Sequence, residues 1–329
     1  MAKIVRFHQT GGPEVLKIEQ VDTPAPGKGE VQIAVSAIGL NRAESMFRSG
    51  QYIEEPKLPA RLGYEAAGSV VAIGAGVSGF NVGDAVSVIP SFSLNEYGMY
   101  GDRVNAPAHA VVRHPASLSF VDASAVWMQY VTAYGALIDI AGLKQGDTLV
   151  IPAASSSVGL AAIQIANKVG AVPVALTRGS AKRQALLDAG AAHVIATDEQ
   201  DLVKEIAAIT GGQGARVVFD PVGGPAMAQI TQATAKLGII LIYGALSTDA
   251  TPFPLFDVLG KWLTIRGYVM MEITQDAQRL EKAKAFINDG LADGSLKPLI
   301  AKTFPFEQIV EAHRYLESNQ QVGKVVVTV

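Results

Sequence analysis

Thr148-Leu149-Val150-Ile151-Pro152-Ala153-Ala154-Ser155-Ser156-Ser157-Val158-Gly159, followed at once by Leu160-Ala161-Ala162-Ile163-Gln164-Ile165-Ala166, decides how this chain folds. A short β-branched run leads through a turn of small residues into an apolar helical stretch. In such a passage the backbone can approach a pyrophosphate at the N-terminus of the helix. Of the three glycines in the G-x-G-x-x-G pattern only the last, Gly159, is present; Ala154 and Ser156 stand at the first two positions, a weak match by itself. The serine hydroxyls and the N–H groups of Ser157, Val158 and Gly159 can donate to phosphate oxygens. A serine-rich turn that only caps its helix has the same appearance.

The surroundings favour the nucleotide reading. Strands are expected at 148–153, 171–177, 193–196, 216–220, 238–244 and 264–268, alternating with helical stretches, an order that builds a parallel sheet covered on both faces. Six strands suit two mononucleotide-binding halves of a doubly wound Rossmann domain. Ser180 before the stretch 181–189 and Gly190 after it punctuate one of these helices. The first part, to about residue 118, is instead rich in glycine, proline and short β-branched runs such as Val31-Gln32-Ile33-Ala34-Val35, the texture of an irregular β-barrel. The expected division is a catalytic domain from 1–122 and 266–329, and a dinucleotide-binding domain at 123–265. The closing strand, Lys324 to Val329, is expected to return to the first domain's sheet.

Cofactor choice is read at the end of the second parallel strand, Val174-Ala175-Leu176-Thr177-Arg178-Gly179-Ser180-Ala181-Lys182-Arg183. NAD enzymes place an acid there on the ribose hydroxyls. This segment has none. Thr177 and Ser180 can hydrogen-bond an adenosine 2′-phosphate while Arg178 and Lys182 neutralise it, so NADPH is favoured. Arg183 reads as part of a solvated helix face.

The 329 residues carry a net charge of −3 and no cysteine. That balance gives no basic surface for nucleic acid and points to a small-molecule partner. Thiol catalysis and disulfides are excluded. The opening Lys3-Ile4-Val5-Arg6-Phe7 is strand-like and charged, and no apolar run is long enough to span a bilayer, so a soluble cytoplasmic protein is expected. The five histidines show no metal-ligand spacing and read as structural or surface residues.

Several separated segments resemble the zinc-independent medium-chain dehydrogenases/reductases, in particular their quinone oxidoreductase-like group. They are Gly39-Leu40-Asn41-Arg42-Ala43-Glu44, Arg48-Ser49-Gly50-Gln51-Tyr52, Gly63-Tyr64-Glu65-Ala66-Ala67-Gly68, Val131-Thr132-Ala133-Tyr134, Asp220-Pro221-Val222-Gly223-Gly224 and Gly323-Lys324. The resemblance implies a GroES-like β-barrel catalytic domain made from both chain ends, an inserted Rossmann domain with a six-stranded parallel sheet, a cofactor cleft between them, and commonly a homodimer. It puts Asn41 where zinc relatives carry their first cysteine ligand and Tyr64 where they carry a histidine, and no cysteine stands near Met128 or Gln129 for a third ligand. On ligand count no metal is expected. The resemblance also places Thr132, Gly244, Ala245 and Lys324 toward the cofactor and Tyr52 and Arg48 in a segment lining the cleft. Gln129 and Tyr130 lie within reach of substrate, with helix packing the competing reading. Arg48 reads equally as a partner for Glu44 at helical spacing.

Without a metal, reduction of an acceptor already activated for hydride is the easiest chemistry, a quinone or an α,β-unsaturated carbonyl whose oxygen receives hydrogen bonds as charge develops. Asn41, Tyr64 and Tyr52 are the candidate catalytic residues. The alternatives are an enoyl-thioester or carbonyl/alcohol oxidoreductase, and an NADPH-binding sensor or structural protein without turnover.

Overall fold

The computed structural model describes all residues, 1–329, and they form two compact units, 1–128 with 298–329, and 129–297. In chain order, the first unit carries strands β1 (Ala2–Phe7), β2 (Lys17–Val21) and β3 (Glu30–Gly39), helix α1 (Arg42–Ser49), strands β4 (Ala60–Arg61), β5 (Glu65–Ile73), β6 (Ala85–Val88), β7 (Arg103–Pro107) and β8 (Val111–Arg113), and helix α2 (Phe120–Ala123). Helix α3 (Trp127–Tyr134) follows. The second unit then alternates β9 (Thr148–Ile151), α4 (Ser157–Lys168), β10 (Val172–Thr177), α5 (Arg183–Asp188), β11 (His193–Ala196), α6 (Leu202–Thr210), β12 (Ala215–Asp220), α7 (Met227–Ala233), β13 (Thr234–Ile242), α8 (Leu255–Lys261) and β14 (Thr264–Gly267), and ends with α9 (Met271–Thr274) and α10 (Ala277–Asp293). The last segment returns β15 (Ile300–Pro305), α11 (Ile309–Glu317) and β16 (Lys324–Thr328) to the first unit.

The first unit is a seven-stranded sheet in the order β15-β16-β3-β5-β6-β8, with β7 also on β3, and a three-stranded sheet β2-β1-β4. Strand β3 is its spine because Val31, Ile33, Val35 and Ala37 alternate inward at the period-two spacing of a pleated strand. The closing strand does return as expected, β16 pairing antiparallel with β3 through Thr328 and Ala37. One glycine is compulsory here: a Cβ on Gly68 would stand 2.0 Å from the Ala34 carbonyl on β3.

The second unit is a six-stranded, wholly parallel sheet in the order β11-β10-β9-β12-β13-β14, the doubly wound arrangement expected from the alternating elements. Val150, Val174, Ile195, Val218 and Ile240 from the strands pack with Leu202 and Ile206 of α6 and Met227 and Ile230 of α7. Strand ends differ from the expectation by a few residues for local reasons. Strand β9 stops at Ile151 because Pro152 offers no N–H to a ladder and Ala153 turns to φ 49°. Strand β13 starts at Thr234, ahead of the expected 238, and ends at Ile242.

The compact units also divide later than the expected 122/123 and 265/266. Residues 266–297 stay with the second unit because α10 is fastened there, by Arg279 to Asp139 (2.6 Å), Asp293 to Lys168 (2.6 Å) and Phe286 against Tyr134 (5.1 Å between ring centroids). At the first crossing, Ala125 is buried with Ala37 of β3 and Val326 of β16, which keeps the residues just after 122 with the first unit.

Candidate functional site

In the first unit, Asn41, Tyr64 and Lys324 meet around two buried carboxylates. Asn41 precedes α1 with extended backbone, and Glu44, three residues into the helix, returns its carboxylate to the Asn41 N–H (2.7 Å), one half of a capping box. Glu44 also accepts from the Tyr64 N–H (2.8 Å), the Tyr100 hydroxyl (2.7 Å) and the Asn41 amide (3.2 Å). Burial pushes its carboxyl above the ordinary range, and these donors oppose that shift. Glu65, at the start of β5, accepts from the Lys324 ammonium and from the Met128 N–H (3.0 Å). Lys324 donates in addition to Asn41 Oδ1 (2.6 Å). The ammonium is fully enclosed, with side-chain exposure of 0% against 1% for Glu65.

The Asn41 side chain is therefore already committed. Its amide nitrogen donates to Gly39 O (3.2 Å), Glu44 (3.2 Å) and, at the limit, Glu65 (3.4 Å), while its oxygen accepts from Lys324. Only a lone pair on Oδ1 is left to meet a further group.

Tyr64 is buried, and its hydroxyl donates to the part-exposed Tyr52 hydroxyl (3.4 Å). Burial raises both phenols, so both are protonated at neutral pH. Phe47, Tyr52, Tyr64, Phe92 and Tyr97 form a row of ring contacts with centroids 5.6 to 6.4 Å apart. Arg48 is not part of this row. It does not pair with Glu44, whose oxygens are already occupied, but donates to Glu317 (2.8 Å) and Gly11 O (3.0 Å) and lies 2.9 Å from His313 Nδ1.

In the second unit the turn after β9 leads into α4 with Ser156 as N-cap, its Oγ accepting from the Gly159 N–H (3.0 Å). That bond occupies one of the three N–H groups expected to face a phosphate and leaves those of Ser157 and Val158 at the open end of the helix. A Cβ on Gly159 would stand 2.6 Å from Ala154 O, so the close strand-to-helix approach requires glycine. Lys182 Nζ donates to Ser155 Oγ (3.1 Å), which joins this turn to the loop after β10. Burial and the neighbouring Arg178 lower the Lys182 ammonium, as two cations held side by side require. Arg178 and Ser180 are exposed, and the Thr177 hydroxyl donates to Gly179 O (3.2 Å). Arg183, expected on a solvated face, is instead fastened to Val194 O (2.7 Å) and Gln200 (2.6 Å).

A residue missed in the sequence also belongs to this loop. Glu199 accepts from the Ser180 N–H (2.8 Å). It lies outside the segment 174–183 and comes alongside only because β10 and β11 pair in parallel with Thr177 opposite Ala196. Gly244 follows β13 where a Cβ would stand 2.8 Å from Pro221 O, and Ala245 beside it is exposed. Thr132 is buried, its hydroxyl 3.6 Å from the Met270 sulfur. The Tyr130 hydroxyl donates to Gln164 (2.7 Å), the packing alternative for that residue, while Gln129 Oε1 is buried without a hydrogen-bond partner.

Residues 27–116 match the family described as alcohol dehydrogenase GroES-like domain, and residues 157–288 that described as zinc-binding dehydrogenase. Quinone oxidoreductase 1 of Escherichia coli is 32% identical over 327 residues, covering 98% of each chain. A synaptic vesicle membrane protein VAT-1 homolog from Rattus norvegicus is 30% identical over 334 residues, covering 96% of this chain and 81% of its own. The crystal structure of Escherichia coli quinone oxidoreductase complexed with NADPH superposes with a TM-score of 0.91 at 30% identity, covering the whole of both chains. No helix here is long and apolar enough to cross a membrane.

The donor set does not fit the zinc that one family description names. No three His, Cys, Asp or Glu side chains gather in a way that could hold a metal ion, and the Lys324 ammonium sits among the polar groups at Asn41 and Glu65. Replacing Lys324 by Met leaves the Glu65 carboxylate buried without a counter-charge. Such a change is expected to cost about 3–5 kcal/mol in denaturant unfolding, and adding Glu65→Gln should recover most of it. A single variant as stable as the wild type would contradict the pairing.

Proposed function

The chain belongs to the oxidoreductases of the medium-chain dehydrogenase/reductase family, in the quinone oxidoreductase-like group, and we propose that it is an NADPH-dependent reductase of quinones or α,β-unsaturated carbonyls. The observation that carries this reading is the bond from Lys182 to Ser155. It puts a pair of cations beside the open N-terminus of α4, so that a pyrophosphate and a 2′-phosphate can be bound on one continuous surface.

In this reading Ser157 and Val158 donate their N–H groups to the pyrophosphate, with the Ser156 hydroxyl beside them and Gly159 allowing the approach. Arg178 and Lys182 neutralise the 2′-phosphate, and Thr177 and Ser180 hydrogen-bond it; an anion there also relieves the repulsion between the two cations. Gly244 and Ala245 offer an unobstructed backbone, and Thr132 a hydroxyl, to the nicotinamide end. NADPH, when bound, supplies the hydride. Asn41, with both amide hydrogens committed, acts as an acceptor toward a cofactor hydroxyl, and Lys324 holds it in that orientation. The donor to the acceptor's oxygen is then Tyr52, with Tyr64 donating to it from behind. Its raised pKa keeps the proton in place until negative charge develops on that oxygen. The row of aromatic rings from Phe47 to Tyr97 suits a planar, conjugated acceptor.

A panel of 1,2- and 1,4-quinones, enones and aldehydes, assayed with NADPH and NADH on wild-type and Tyr52→Phe protein, tests the reading. NADPH should be preferred, a quinone or enone reduced, and kcat lowered about tenfold in the variant. Faster turnover with NADH would contradict the cofactor assignment. NADPH binding with no acceptor reduced would favour a sensor without turnover.

The second unit supports self-association as well. Strand β14 is the open edge of the parallel sheet, and Phe253, Leu255, Phe256, Leu259 and Trp262, on and beside α8, expose 51 to 87% of their surfaces. An edge strand with an apolar neighbourhood is completed by a second copy of itself about a twofold axis. The protein is expected to sediment as a dimer and Phe256→Asp as a monomer; a wild-type monomer at micromolar concentration would contradict this.

A further inference from the structure

Tyr243 stands just beyond the last residue of β13, one strand away from the β9–β12 junction where the strand order of the parallel sheet reverses, and its N–H donates to Asp220 O at the end of β12 (2.9 Å). Its ring stacks on Phe219, with centroids 3.9 Å apart and planes at 21°, which fixes the direction of the phenol. The hydroxyl lies beside Ser156, the N-cap of α4. There it is shielded from solvent and makes no hydrogen bond of good geometry, although Ser156 is near enough to interact with it.

The neighbouring polar groups have bonds of their own. Ser156 Oγ accepts from Gly159, and the Asp220 carboxylate accepts from the Val222 N–H (2.8 Å) and the Gly223 N–H (3.1 Å). A hydroxyl buried without a partner is destabilising, and phenylalanine at this position would keep the stack without that penalty. Such a group gains a well-formed bond when an acceptor comes to it. Burial, followed by the charge of Asp220, pushes the phenol well above its ordinary value, so it is a donor at every physiological pH.

We propose that the Tyr243 hydroxyl is a positioning group for the cofactor, donating to a pyrophosphate oxygen of NADPH at the N-terminus of α4. This rests on the NADPH reading above and extends it to a residue outside the glycine pattern. Ser156 and Tyr243 act together: the serine closes the first turn of the helix, and the phenol supplies a donor from the opposite side of the crevice that strand-order reversal creates.

Tyr243→Phe separates this role from a structural one, because the two predict opposite effects on the free protein. NADPH affinity is measured by titrating cofactor fluorescence, and thermal unfolding is followed without cofactor. The expected result is a Kd for NADPH raised about tenfold, the loss of one hydrogen bond to a charged group, with Tm unchanged or higher. An unchanged Kd would overturn the proposal. So would a lowered Tm, with or without weaker binding, since it would mean that the hydroxyl serves an internal bond to Ser156. Wild-type protein that bound no NADPH would remove this inference and the cofactor reading together, whereas normal binding by both proteins would remove this inference alone.

Discussion

A single ammonium group, Lys324 Nζ, holds together the polar core of the first unit. It is enclosed with Glu65 and Asn41, and the three residues come from β16, β5 and the start of α1, which are distant in sequence. Burying charge this deeply is costly unless the charges are paired and further hydrogen bonds support them. The remaining contacts meet that condition: Met128 N–H on Glu65, and Asn41, Tyr64 and Tyr100 on Glu44. The orientation of Asn41 follows from this cluster. Its amide faces inward to carboxylates and carbonyl, and only an oxygen lone pair remains for a visitor.

That arrangement alters the chemistry the sequence suggested. Asn41 reads as a hydrogen-bond donor standing where a metal ligand would be, but its hydrogens are consumed. In the proposed function the donor role therefore falls to Tyr52, the outer member of a tyrosine pair. A protein cation takes the central place among these groups, and its positive charge disfavours a metal dication there.

The fold was legible wherever periodicity or punctuation acted alone. The six parallel strands, the Ser156 cap, Gly159 and the return of the last strand to β3 follow from patterns within short segments. Features that depend on pairing between distant segments were not. Glu199 reaches Ser180 through the β10–β11 register, and Arg48 finds Glu317 and His313 rather than its helical neighbour Glu44. The extent of the second unit depends on ion pairs from Arg279 and Asp293 that no local pattern announces. Tyr243 is illegible for a related reason: its position after β13 is visible in sequence, but the burial of its hydroxyl without a well-formed hydrogen bond exists only in the packed structure.

Under the proposed function, hydrogen bonds organised by the buried Lys324 ammonium, and no metal, prepare this site for its acceptor. Reduction of a quinone by NADPH, measured on protein dialysed against a strong chelator and again after adding one equivalent of Zn²⁺, tests it most directly. The same rate is expected in both samples and in untreated protein. Activity lost to the chelator and restored by zinc would contradict it.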